Sequence, residues 1–218
     1  MPLLSLDHEL QILKEEVLLL GSLVEQVLLS AVEALQQRGV DAARKVELGD
    51  NLIHEKRYAI ENRVITLIAT HQPLARDLHF LAAVFEINTE LERMGDYAKG
   101  IAKVTRRLGE DETPLPIREI CHVANLAVSM SHRALEAFIN RDTERVFKIP
   151  DEDSQVDDLY NYVYRKLIAS PNSMDQLSLV VWVIHDIERS ADRVTNICER
   201  TIFFATGEVL EMFSSYEE

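Results

Sequence analysis

Apolar side chains return every third or fourth position along most of the chain, the spacing that lays a single buried stripe along a helix. Leu10, Leu13, Val17, Leu20, Val24, Val27, Ala31, Ala34 and Leu35 trace such a stripe and predict a first helix over about residues 6–38. At 1.5 Å per residue that helix is roughly 50 Å long. Gly39, Pro73, Gly109, Pro114, Pro116, Pro171 and Gly207 fall where the stripes stop, as residues that cap or break helices should. The pieces between them span about 41–70, 74–108, 117–140, 142–169 and 174–206, with no alternating pattern to suggest strands. Pro150 interrupts the fifth piece and removes a backbone donor there, which predicts a kink or short break with the helix restarting near Asp151. Trp182 sits in the apolar run Leu179 to Ile184 and is expected in the core.

The stripes repeat as a set. Glu92-Arg93-Met94-Gly95-Asp96 followed by Ile101 aligns with Glu188-Arg189-Ser190-Ala191-Asp192 followed by Ile197, 96 positions later. Upstream, Asp50 and His54 align with Asp153 and Asp157, 103 positions later. The difference of seven is about two helical turns, which a connection absorbs without rotating either helix face. Long helices joined by short connections run antiparallel and pack as bundles. The expected fold is therefore all-α: two tandem, pseudo-symmetric three-helix bundles, the first over residues 1–110 and the second over 111–218.

Charge narrows the function. Lys and Arg number 23 against 37 Asp and Glu, a formal charge of -14 that repels phosphate backbones and argues against direct nucleic-acid binding. The second half is the more acidic, with 10 basic and 20 acidic residues after Glu110 against 13 and 17 up to it. Two cysteines, Cys121 and Cys198, are too few for a disulfide framework and fit a reduced, cytoplasmic setting. No secretory leader opens the sequence, and the run Leu179 to Ile184 is far shorter than the roughly 20 residues of a membrane span. The expectation is a soluble protein, at most peripheral to a membrane through its partners. No Ser/His/Asp set, glycine-rich phosphate loop or paired-cysteine zinc spacing is present.

The acidic repeats carry the chemistry. Residues four apart share a helix face, so Glu92 and Asp96 stack their carboxylates, as do Glu188 and Asp192. Asp50 with His54, and Asp153 with Asp157, present donors at the same spacing one helix earlier. Where two such helices face each other, four donors converge, as in metal sites built inside bundles. Magnesium, manganese, iron and zinc all suit oxygen and imidazole donors. His185 shares the face of Glu188 and Asp192 and is a further candidate ligand. Taken singly, each acidic pair also fits a solvated helix face neutralised by Arg93 and Lys99, or by Arg189 and Arg193. Gly95 and Ala191 inside the motif fit a close helix approach, since glycine in a helix costs about 1 kcal/mol relative to alanine. Glu119-x-x-His122 is one instance of an element that di-iron bundles use in pairs. A carboxylate-bridged oxidase or metal-dependent hydrolase is the enzymatic alternative, and an adaptor with purely solvated stripes the structural one.

Several stretches together resemble the PhoU family of bacterial phosphate-transport accessory and regulatory proteins. They are His71-Gln72-Pro73-Leu74-Ala75-Arg76-Asp77-Leu78, Glu90-Leu91-Glu92-Arg93-Met94-Gly95-Asp96-Tyr97-Ala98 and Asp186-Ile187-Glu188-Arg189-Ser190-Ala191-Asp192-Arg193, set in a duplicated six-helix plan. The resemblance implies paired three-helix bundles with multinuclear metal clusters, iron or zinc, at the acidic faces. It adds Asn196 to the second ligand set, where the first copy has Gly100. It also implies a non-enzymatic, cytoplasmic negative regulator of phosphate metabolism. Its partners would be the ATPase of a phosphate ABC transporter and a membrane sensor histidine kinase, and the long exposed helices would suit a homodimer.

Overall fold

The computed structural model describes residues 5–109, 115–150, 153–169 and 174–212, with the side chains of 153–155 and 174 left aside. Among these residues the only regular secondary structure is helix, with α1 Leu6–Gln36, α2 Val40–His71, α3 Arg76–Leu108, α4 Ile117–Asn140, α5 Thr143–Val146, α6 Asp153–Ile168 and α7 Met174–Thr206. The predicted fifth piece is thus divided. Asp142 caps the single turn of α5 by accepting a hydrogen bond from the Arg145 N–H at 3.0 Å, and the chain breaks around Pro150 before α6 begins.

The stripe of α1 is buried as its spacing requires, with Leu13, Val17, Leu20, Val24, Ala31 and Leu35 fully enclosed. Leu28 takes the place expected of Val27, which is only half-buried, because the stripe drifts round a helix of 3.6 residues per turn. By length and composition α1 is also apolar enough to cross a membrane, yet its apolar face packs against α2, α3 and α4. Trp182 is corrected outright: it is 61% exposed, while Val180, Val183, Ile184 and Ile187 fill the inward face of α7.

Two central helices, α3 and α7, form the main seam, flanked by α1 and α2 on one side and by α4 and α6 on the other. They run antiparallel, as their pairings show: Phe80 against Phe204, Glu86 with Arg200, Glu90 with Asn196, and Tyr97 beneath Arg189. At one end Phe80, Phe138 and Phe204 form an aromatic cluster with centroids 5.2 to 5.7 Å apart, joining helices from both halves of the sequence. Within the first half, a β-carbon on Gly95 would lie 2.8 Å from the Ile53 Cδ1 atom. The glycine therefore lets α3 approach α2 closely, which sets the distance between the acidic residues on those two helices.

Candidate metal centre

Asp50 and His54 lie one turn apart on α2, and Glu92 and Asp96 one turn apart on the facing surface of α3. The structure brings three of them together: ligand atoms of Asp50, His54 and Asp96 all lie within 4.8 Å of one another. Glu92 joins through His54, whose Nδ1 is 2.7 Å from the Glu92 Oε1 atom while Nε2 is 3.1 Å from Asp50 Oδ2. Asp50 is 1% exposed. Its Oδ2 atom also accepts from the Lys99 ammonium, whereas Oδ1 is enclosed with no hydrogen-bond partner among the described residues. A buried carboxylate oxygen without a donor is costly, and a cation at that position would satisfy it. Asp96 is exposed, yet partial desolvation and the neighbouring Asp50 carboxylate still push its carboxyl above the usual range.

Arg57 belongs to the same cluster although its role escaped the sequence reading. Its Nε atom is 3.1 Å from Glu92 Oε2 and its Nη1 atom 2.9 Å from Glu61. The signal was available, since Arg57 stands seven residues after Asp50 and so shares its face. The donor set fits a hard or borderline cation at Asp50, His54 and Asp96, with Glu92 held back by Arg57 and His54.

The second centre is built by α6 and α7. Burial and then Asp192 raise the Asp157 carboxyl, and burial and then Glu188 raise that of Asp192, so these acids crowd one another. Glu188 is buried, 3.4 Å from the Nδ1 atom of His185, whose ring stands edge-on to Trp182. Tyr160, at the register of Arg57, has its phenol raised by burial and by the Glu188 charge. Asp153 begins α6, but its side chain lies outside the described residues. Asn196 is placed elsewhere: its amide donates to Glu90 of α3 at 3.0 Å, beside Arg193 at 3.3 Å. It therefore ties α7 to α3 across the seam. Glu119 is paired with Lys166 and His122 is exposed, so the Glu-x-x-His element stands apart from both acidic clusters.

The two centres differ in charge at several matched positions, Arg57 against Tyr160 among them. Lys99 of the first corresponds to Thr195 of the second, where the hydroxyl is enclosed with no hydrogen-bond partner among the described residues.

Comparison with known proteins follows the same duplication. The PhoU domain matches residues 17–105 and again 120–201. The phosphate-specific transport system accessory protein PhoU homolog of Clostridium acetobutylicum is 32% identical, covering 94% of this chain and 96% of that protein. The homolog of Aquifex aeolicus is also 32% identical, over 95% of this chain and 96% of that protein. The crystal structure of the phosphate transport system regulatory protein PhoU from Streptococcus pneumoniae superposes with a TM-score of 0.89 at 29% identity, covering 95% of this chain and all of that one. That of PhoU from Pseudomonas aeruginosa gives 0.87 at 27% identity, over 94% of this chain and all of that one. With both repeats matched and the fold shared over nearly its whole length, the chain belongs to the PhoU family.

Proposed function

We propose that this protein is an accessory regulator of phosphate-specific transport that works by protein contact and holds metal at its two acidic centres. The observation that carries the metal reading is the buried, unpartnered Oδ1 atom of Asp50 beside His54 and Asp96. Asp50, His54 and Asp96 would hold the ion in the first centre, and Asp157, Glu188, Asp192 and His185 in the second, with iron, zinc, manganese and magnesium as the candidates. Bound metal would neutralise carboxylates that otherwise repel one another, stiffening α2 against α3 and α6 against α7. The regulatory reading rests on family membership and on relatives named as accessory proteins of the phosphate-specific transport system. The partners it implies are the transporter ATPase and a membrane sensor kinase, met on the long exposed helix faces, with a homodimer as the working assembly. A carboxylate-bridged enzyme draws no support from the isolated Glu119 and His122.

Element analysis of protein purified without chelator should find metal well above trace level. An Asp96→Ala/Asp192→Ala variant should lose most of it while keeping its helical signal. In cells grown with ample phosphate, the same variant should fail to repress a phosphate-starvation reporter. Unchanged metal content would refute the site assignment, and full repression by a metal-free variant would separate regulation from metal.

A further inference from the structure

The stretch His71 to Leu78 runs from the end of α2 into the first turn of α3, yet neither acidic centre uses it. Its Arg76 and Asp77 line a hollow of about 240 Å³ at the end of the bundle, together with Asp7, Gln11 and Lys14 of α1, Arg141 after α4 and Phe204 of α7. Three cations face it in a chain that carries 14 more acidic than basic groups. Arg76 lies 4.0 Å from Asp77, and that pair balances itself. Lys14 and Arg141 make no ion pair among the described residues, so they outnumber Asp7, the remaining carboxylate.

Both unpaired cations are held in place by packing. The Lys14 ammonium stands 5.7 Å from the centroid of Phe80, and the Arg141 guanidinium 4.6 Å from that of Phe204. Arg141 donates from Nη2 to the Ala205 carbonyl at 3.0 Å, while its enclosed Nε atom has no acceptor among the described residues. A guanidinium offers five N–H donors in a fixed fork, the geometry that recognises oxyanions. Arg141 also occupies the left-handed position that closes α4, at φ 54°, where glycine is the usual residue. Ala75 stands at the N-cap of α3 and its side chain makes no capping hydrogen bond, so the first turn adds the positive end of a long helix to the same hollow.

We propose that this hollow is a binding site for a phosphate-class oxyanion, held by Lys14 and Arg141 with the first turn of α3. Arg76 and Lys14 belong to the first repeat and Arg141 to the second, so the bound anion bridges the two halves. The site stands apart from the acidic centres, since Arg76 and Asp96 are separated by roughly 30 Å along α3, and it does not depend on metal being bound. Free inorganic phosphate and the phosphoryl group of a small phosphomonoester share the required chemistry.

The test is calorimetric titration of EDTA-treated, full-length protein with sodium phosphate, glucose 6-phosphate and sodium chloride at constant ionic strength. Saturable binding of one equivalent is expected for inorganic phosphate or for the monoester. The tighter of the two identifies the source. A Lys14→Gln/Arg141→Gln variant should bind at least tenfold more weakly. Because losing Arg141 removes packing on Phe204, Gln11→Glu serves as a second variant: it places a carboxylate at the exposed rim without touching the core, and it too should weaken binding. Absence of saturable binding, phosphate binding no tighter than chloride, or undiminished affinity in Gln11→Glu would each overturn the proposal.

Discussion

Within the first acidic cluster, neighbouring carboxylates have opposite energetic roles. Asp50 is buried and receives the Lys99 ammonium and the His54 ring, so replacing it with asparagine removes the charge that both groups face. Asp50→Asn should lower stability by roughly 1–3 kcal/mol. Asp96 is exposed and stands against the Asp50 and Glu92 charges, which raise its carboxyl further after desolvation. Asp96→Asn should therefore cost the metal-free protein no stability, whereas metal-loaded protein should lose the stabilisation that binding confers. Thermal unfolding with and without metal checks both signs, and a loss in metal-free Asp96→Asn as large as in Asp50→Asn would contradict them. The sequence exposed the donors of this cluster, because residues four apart must share a helix face. It did not expose the pairing of Arg57 with Glu92 or the turning away of Asn196, since helical spacing says which face a residue occupies and not which neighbouring helix that face meets.

Among the elements, the α3/α7 seam is where tertiary contacts complete what periodicity begins. The stripes of α1, α3 and α7 are legible because amphipathic helices bury one side. Trp182 was misplaced because a continuous apolar run hides which side turns inward. The two ends of the pseudo-symmetric seam also differ. Glu90 gathers Asn196 and Arg193, whereas its counterpart Asp186 faces Gly100, where a β-carbon would overlap the carboxylate. Burial pushes the Asp186 carboxyl up to about 7, against a smaller pull from Arg189. A carboxyl raised by folding contributes stability that is complete below the unfolded value near 4 and is lost as pH rises through about 7. Asp186→Asn removes that penalty. At pH 8 it should stabilise the protein by about 1–2 kcal/mol after allowance for solvent screening, and at pH 5 by only about a third of that. Denaturant midpoints at the two pH values test this, and an equal shift at both would show that Asp186 is not the titrating group.

At the scale of the whole molecule, the duplication yields two centres with unequal charge. In the first, Lys99 sits on Asp50 and Arg57 on Glu92, so an entering cation must compete with an ammonium already in place. In the second, Thr195 stands where that lysine would be, and Asp157 and Asp192 crowd each other. The second centre should thus take metal more tightly. Asn196 does not add to that preference, since it bonds across the seam, and the missing lysine is the reason for it. Titration of chelator-treated protein with manganese or zinc should resolve a tight and a weak phase, and Asp192→Ala should abolish the tight one. Lys99→Met removes the competitor while keeping the length of the side chain, and should tighten the weak phase about tenfold, equivalent to about 1.4 kcal/mol. If Asp192→Ala removes the weak phase instead, or Lys99→Met loosens it, Lys99 acts as part of the site and the order of the two centres is reversed.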